Sequence, residues 1–328
     1  MSPVTVIAEI GINHNGSLDT ALKLIYKAAE AKVDAVKFQK RSLSDIYSES
    51  LLQDSNGAEW NFDYLLPQLE ELELSKEDYG VIKETCEDLG LDLIITPMDE
   101  ESADFVGNLG VSAIKIASPD MTNLNLIKKC GSFGLPLIIS TGMWGYEDIK
   151  KCVNFYKSNN LSFSLLVANS TYPTPYESIG LKFISQLQKL TPKVGYSGHE
   201  RGIFIPVAAV ALGATIIEKH ITLNRSQKGP DHKASLLPSE FFQMVKDIRA
   251  LELSLGTDKV VNQQEKLNRE LFAKSAVALS PLSPGDKLDE SMVGFKAPGK
   301  GIFPHEISEF YGKEIKKKGE QRSLYLFF

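Results

Sequence analysis

The amino-acid sequence predicts a (β/α)8 barrel followed by a small β-rich module, and three observations carry that expectation. Short runs rich in Val, Ile and Leu alternate with segments of 3.6-residue periodicity, eight times before Gly256. The first strand is followed by "GINHNGS" rather than by G-x-G-x-x-G, which sets the chain apart from an open, doubly wound sheet. Beyond Gly256 the pattern gives way to brief strand-like pieces broken by Pro and Gly.

The eight strands are read, in order, from "VTVIAEIG", "DAVKFQK", "LDLIITPMD", "SAIKIAS", "PLIISTGM", "FSLLVANS", "KVGYSGH" and "ATIIEKHIT". Helical periodicity fills the intervals, as in "LDTALKLIYKAAEAK", "SKEDYGVIKETCEDLG", "YEDIKKCVNFYKSN" and "PSEFFQMVKDIRALELSLG". The polar interval from Arg41 to Pro67 is expected to be an extended loop after the second strand, a length that usually serves as a cover over a site. The chain thus divides into a barrel over 1–258, a polar linker over 259–271 around "TDKVVNQQEKLNRE", and a module over 272–328 ending in the strand "SLYLFF". That module is too small for a large core of its own, so it is expected to lean on something else.

At 328 residues, 43% hydrophobic and 24% charged, the chain is an ordinary globular protein with a real core. A net charge of −6 argues against nucleic acid or an anionic membrane as partner, but not against a phosphate ligand held in a local pocket. The longest apolar run, "IFIPVAAVALGATII", is cut by Pro206 and Gly213 and is too short to span a bilayer. The opening "MSPVTVIAEIG" has no basic region before a long apolar one, and the three cysteines, Cys86, Cys130 and Cys152, show no C-x-x-C spacing. Reduced thiols and a cytoplasmic location are the expectation.

Side chains two apart on a strand point the same way. Glu218 and His220 of "IIEKHIT" therefore share a face while Lys219 points oppositely, and Ser197 and His199 of "GYSGH" share one. Both histidines fall near the C-terminal ends of the seventh and eighth strands, which a barrel sets side by side. Either alone would be read as a hydrogen-bonded polar residue; two at matching positions suit a divalent metal, for which neutral imidazole is the commonest protein ligand. Two ligands would leave coordination positions open, as catalysis requires. Lys37, facing with Gln39, and Lys115 lie inside strands. On an open sheet they would guard an edge; in a closed barrel they face inward and call for an anion. Hydroxyls recur at the strand ends, at Thr96, Ser118, Ser140, Thr141, Ser170 and Ser197. Any one is an ordinary cap, but with two lysines they form a cradle for phosphate and carboxylate. Glu9, an acid in the apolar first strand, must be paired or work as a general acid or base. The residues by themselves thus describe a barrel enzyme with an anionic substrate and a candidate metal pair at His199 and His220.

The motifs "AEIGINHNGS", "VKFQK", "KIAS", "STGM", "YPTP", "GYSGH", "EKHIT" and "GPDHKAS" follow in the order and register of the sialic acid synthase family, which essentially the whole chain resembles. That family condenses phosphoenolpyruvate with N-acetylmannosamine or a related hexose, giving a nine-carbon 2-keto-3-deoxy sugar acid and phosphate by C–O cleavage. The resemblance implies a TIM barrel and a C-terminal antifreeze-like (SAF) domain of the β-clip type. It implies that His199 and His220 bind a divalent metal, manganese foremost with magnesium or cobalt as alternatives, and that Glu218 stands behind them. It places phosphoenolpyruvate on Lys37, Thr96, Lys115, Ser118, Ser140, Ser170 and Ser197, the sugar on Gln39, Tyr172 and Asp231, and proton handling on Glu9. It further implies a domain-swapped homodimer, the terminal module reaching over the partner's site.

Three features depart from the family pattern. Ala168-Asn169-Ser170 stands where many bacterial members have Cys-Thr-Ser or Cys-Thr-Asn, and Ala297 where they usually carry an arginine that contacts the acetamido group. The end, "YGKEIKKKGEQRSLYLFF", is shorter and more apolar than the usual final hairpin. The alternative is therefore the same chemistry on a non-acetylated, di-N-acetylated or 6-phosphorylated sugar, as in a Kdn-, legionaminate-, pseudaminate- or 9-phosphate-type synthase. A relative making a 3-deoxy keto-acid phosphate is disfavoured by "GPDHKAS" and the tail. An inactive carbohydrate- or ice-binding protein and a structural scaffold are disfavoured by Glu9, Lys37, Lys115, His199 and His220 together.

Overall fold

Eight parallel strands close on themselves in the computed structural model, which describes residues 3–49 and 69–316. The strands are β1 (Thr5–Gly11), β2 (Ala35–Lys40), β3 (Asp92–Pro97), β4 (Ala113–Ile116), β5 (Leu137–Ser140), β6 (Phe163–Ala168), β7 (Val194–Gly198) and β8 (Ile216–His220). They pair in chain order, and β1 pairs with β8 as well as β2, so the sheet is closed. The helices are α1 (Leu18–Glu30), α2 (Leu43–Ile46), α3 (Lys76–Asp88), α4 (Glu100–Leu109), α5 (Leu124–Gly131), α6 (Tyr146–Ser158), α7 (Phe183–Leu187), α8 (Phe204–Ala211) and α9 (Pro238–Ser254). This is the (β/α)8 barrel expected from the alternation.

Local chemistry sets where the helices begin. Ser17 caps α1 by accepting from the Thr20 N–H, Asp99 caps α4 by accepting from Ser102 at 2.6 Å, and Ser75 with Asp78 forms a reciprocal capping box on α3. α4 stops at Gly110, whose φ of +88° is the left-handed conformation that a helix end favours in glycine. The expected loop after β2 opens with α2, and residues 50–68 lie outside the described residues.

Alternation along each strand builds two cores. Val6, Ala8, Ile10, Val36, Phe38, Ile95 and Ile114 point outward and pack with helix residues such as Leu24, Ile25, Ile82, Ile127 and Ile248. Inside the barrel, Ile7, Ala35, Ile94, Ala113, Ile138 and Leu166 form a separate apolar cluster, joined by Ile216. Burying both strand faces explains why the strands read as nearly continuous apolar runs. The cysteines are free and buried, in α3, α5 and α6.

The chain divides into two compact units between Leu255 and Gly256. In the second, the interval expected to be a polar linker carries a helix, α10 (Gln263–Phe272), capped by Asn262 and Glu265. Two antiparallel strands follow, β9 (Ser275–Ala278) and β10 (Val293–Lys296). A small core of Ala276, Ala278, Leu282, Leu288, Val293, Ile302, Ile307 and Ile315 holds this unit together. The expected last strand, "SLYLFF", lies outside the described residues. Among the described residues no helix is long and apolar enough to cross a membrane.

Candidate active site

Two residues beyond the apolar interior cluster, the same strands turn polar. Glu9, Lys37, Thr96, Lys115, Ser140, Ser197, Glu218 and His220 are all buried in the C-terminal half of the barrel, with His199 just past the end of β7. This is the end of a (β/α)8 barrel where active sites are built. A bulge in β1 between Glu9 and Gly11 helps make room: Gly11 has a φ of +53°, and a Cβ there would sit 3.0 Å from Glu9 Oε1 and 3.1 Å from Gln39 Nε2. Glycine at that position leaves space for Gln39 to donate to Glu9 at 2.8 Å.

The charges form one chain across the barrel. The Lys37 ammonium lies 2.9 Å from Glu9, donates to Thr96 at 3.1 Å and stands 3.6 Å from Glu218. Lys115 donates to Ser140 at 2.7 Å and to the Ile116 carbonyl at 3.2 Å, but its nearest carboxylate, Glu218, is 4.0 Å away. Ser197 donates to Glu218 at 3.1 Å. Electrostatics follow the distances. Burial pushes Lys115 down to about 8, only partly opposed by Glu218. Burial would lower Lys37 too, yet Glu218 and Glu9 outweigh it and hold its pKa above the ordinary lysine value. Burial raises Glu9 against the pull of Lys37. It acts on Glu218 in the same sense, but there Lys115 and Lys37 win and the carboxyl is held low.

Ser118, which opens a short 3-10 helix (Ser118–Thr122) after β4, and Ser170, in the loop after β6, converge on Gly142, where a Cβ would lie 2.7 and 2.6 Å from their hydroxyl oxygens. The Gly142 N–H donates to Ser118 at 3.1 Å. Thr141 does not join this cradle, because its hydroxyl donates to the Leu166 carbonyl at 2.9 Å and serves the barrel wall. All seven remaining Lys, Ser and Thr candidates lie on or just beyond the strands that line the C-terminal half.

The histidines face each other with ring centroids 5.4 Å apart. His199 Nδ1 is 2.7 Å from the Asn169 carbonyl, which can only accept, so the proton sits on Nδ1 and the Nε2 lone pair is free. Burial lowers His199 to about 4 and His220 well below the usual histidine range, so both are neutral near pH 7. His220 Nδ1 and Glu218 Oε2 are buried without a hydrogen-bond partner among the described residues. Two neutral imidazoles suit a divalent cation, and the unclaimed carboxylate oxygen of Glu218 stands behind them. Among the described residues no group of three or more His, Cys, Asp or Glu is arranged to hold one; two imidazole ligands would leave coordination positions open. Tyr172 lies over His199 at 4.0 Å between centroids and is 42% exposed, on the solvent side of the site. Asp231 reaches to 3.6 Å from His220 Nδ1, and burial, with Glu9 nearby, lifts its carboxyl to about 7.

Two residues at the site had not been singled out from the sequence as contributors. Asn169 orients His199 through its backbone carbonyl, which no side-chain pattern reveals. Arg41 is buried and fixes Gln39 by donating to its amide oxygen while its guanidinium pairs with Glu73 at 2.9 Å. A basic residue just past a strand's C-terminal end was the signal for it.

Comparison with known proteins gives a consistent picture. The model of the NeuB family matches residues 24–260. N,N'-diacetyllegionaminic acid synthase of Legionella pneumophila is 37% identical over 94% of this chain and 90% of that protein. Human N-acetylneuraminate-9-phosphate synthase is 36% identical over 95% of this chain and 89% of its own length. The crystal structure of N-acetylneuraminic acid (sialic acid) synthetase from Leptospira borgpetersenii in complex with citrate superposes with a TM-score of 0.73 at 32% identity, covering 81% of this chain and 91% of that one.

Proposed function

The chain belongs to the NeuB family, and from that footing we propose that it condenses phosphoenolpyruvate with an open-chain hexose to give a 2-keto-3-deoxy sugar acid and phosphate. What carries this reading is one juxtaposition: two buried inward lysines among strand-end hydroxyls, beside two neutral histidines at the mouth of a closed barrel.

Lys37, Thr96, Lys115, Ser118, Ser140, Ser170 and Ser197 hold the phosphate and carboxylate of phosphoenolpyruvate. Five of them sit on strands, and Ser118 and Ser170 are held against Gly142, so little reorganisation is needed when charge moves. Gln39, Tyr172 and Asp231 orient the sugar so that its aldehyde carbon meets C3 of the enol. His199 and His220 would hold a divalent cation, manganese foremost, with Glu218 behind them; when bound, it supplies Lewis-acid polarisation of the aldehyde. Attack by C3 forms the carbon–carbon bond and leaves positive character at C2. Water adds at C2, and Glu9 takes one of its protons at Oε2 and returns it to the oxygen left anionic when C3 attacked the aldehyde. The tetrahedral intermediate collapses to the C2 ketone by breaking the C–O bond to phosphate, which leaves with the remaining hydroxyl proton. Tyr172 lies over His199 and the surrounding walls are buried, which restricts the access of bulk water.

The relatives are named for different sugar acids, so the acceptor is argued from this chain. N-acetylmannosamine is the first choice, with non-acetylated, di-N-acetylated and 6-phosphorylated sugars as alternatives. Ala297 brings no donor to an acetamide, which favours weak discrimination for that group. The second unit, with its core of eight small and aliphatic side chains, is read as an antifreeze-like module that completes the site of a second subunit in a cytoplasmic homodimer. The test is phosphate release from phosphoenolpyruvate with a panel of aldoses and their 6-phosphates, with mass spectrometry of the products. A nine-carbon keto acid formed from one hexose is expected; phosphate release with no condensed product from any sugar contradicts the reading.

A further inference from the structure

We infer that a buried polar cluster on the outer face of β7 and β8, made by Tyr196, Glu200 and Lys219, is a positioning device that holds His199 and His220 at the separation a shared cation needs. Lys219 and Glu200 are both fully buried, at 0% exposure, although neither faces the barrel interior. Lys219 donates to the Glu200 backbone carbonyl and reaches the carboxylate at 3.2 Å; Tyr196 donates to the other carboxylate oxygen at 2.6 Å.

The geometry follows from the strand register. Gly198 is opposite Lys219, and one step earlier Ser197 is opposite Glu218. After Gly198 the chain turns back, so that the Glu200 carboxylate lies against Gly198 itself: a Cβ there would sit 2.6 Å from Glu200 Oε2 and 2.6 Å from the Tyr196 ring. A side chain at that position would force the Glu200 carboxylate or the Tyr196 ring to shift. His199 is thereby held between Gly198 and Glu200, and His220 directly follows Lys219. Two polar layers therefore tie the ends of these strands, Ser197 with Glu218 inside the barrel and Tyr196, Glu200 and Lys219 outside. The imidazoles project from backbone clamped on both sides.

Stability alone does not account for the outer layer. A buried ion pair is generally no more stabilising than apolar side chains of the same volume, and its best attested use is to fix one geometry among several. Apolar residues could fill this wall, as Ile10, Ile95, Ile116, Ile139 and Val167 do on the outward faces of β1 and β3 to β6. A buried ion pair flanking both histidines is where fixed geometry would matter.

This inference rests on the reading of His199 and His220 as a cation site, so the experiment includes the parent protein as its own control. Mn²⁺ alone is titrated calorimetrically into the full-length parent and into Lys219→Met, Glu200→Gln and Tyr196→Phe, and phosphoenolpyruvate is titrated separately into each. The expected result is a manganese Kd weakened about tenfold in Lys219→Met and Glu200→Gln and by less in Tyr196→Phe, the range seen when groups supporting metal ligands are removed. Phosphoenolpyruvate affinity in the absence of metal should change less than twofold, since Lys37 and Lys115 are untouched. Manganese affinity within twofold of the parent in folded variants overturns the inference, whatever happens to Tm. So does failure of all three variants to fold, which would assign the cluster to stability. A parent that binds no manganese refutes the cation reading itself, a result separable from the other two.

Discussion

The lower storey of the barrel interior is Ile7, Ala35, Ile94, Ala113, Ile138, Leu166 and Ile216, while two residues further along six of those strands stand Glu9, Lys37, Thr96, Lys115, Ser140 and Glu218. One storey is apolar and close-packed; the other is a chain of buried charges. Because alternate residues on a strand face the same way, the two can be only one repeat apart and still be chemically separate. Within the upper storey the charges are unevenly satisfied. Lys37 has carboxylates at 2.9 and 3.6 Å, whereas Lys115 has one at 4.0 Å. Of these two lysines Lys115 is thus the one that the protein itself neutralises less, and burial depresses its pKa accordingly. The lower storey contributes stability, and the upper one gives some of it up in order to receive an anion.

The sharpest way to break this division is to damage the lower storey. Leu166 is fully buried beside Gly195, and Leu166→Ala should destabilise by about 3 kcal/mol through lost burial and a residual cavity. At temperatures where the variant stays folded, kcat should remain within a few-fold of the parent. Denaturant unfolding and steady-state kinetics check the two halves; a large loss of kcat with unchanged stability would show that the storeys are not separable.

A smaller effect sharpens the account of the upper storey. Lys115 titrates near 8 in the folded chain, against the ordinary lysine value of 10.5. Between those two pH values the unfolded chain binds more protons than the native one, so on this group's account stability rises with pH across that window. Anion binding needs the protonated form and falls across the same window. The KM for phosphoenolpyruvate should therefore rise about tenfold between pH 7 and 9, while Tm does not fall on account of Lys115. A KM that is flat to pH 10 would show that Lys115 keeps its proton and is better neutralised than its distances suggest.

Most of the fold could be read from the sequence because parallel strands buried on both faces leave long apolar runs, and those runs are where the strands lie. The runs overshoot at their C-terminal ends: "PLIISTGM" continues past Ser140, where β5 stops and the loop toward the site begins. The inward polar residues were legible for the same geometric reason, since a lysine between Ile114 and Ile116 has only the barrel interior to face. Lys219 shows the limit. Its outward direction was plain, but an outward lysine usually reaches solvent, and its burial depends on Glu200 folding back over Gly198. Asn169 acts through its backbone carbonyl and Thr141 is drawn away by Leu166; both are tertiary hydrogen bonds that leave no trace in spacing.

Lys115→Met tests the central claim most directly, with Tm measured for the protein alone and affinity for phosphoenolpyruvate measured by calorimetry. If the upper storey is an anion site that gives up stability, the variant should melt at or above the parent's temperature and bind phosphoenolpyruvate at least a hundredfold more weakly. A variant that melts lower and still binds phosphoenolpyruvate like the parent would contradict it.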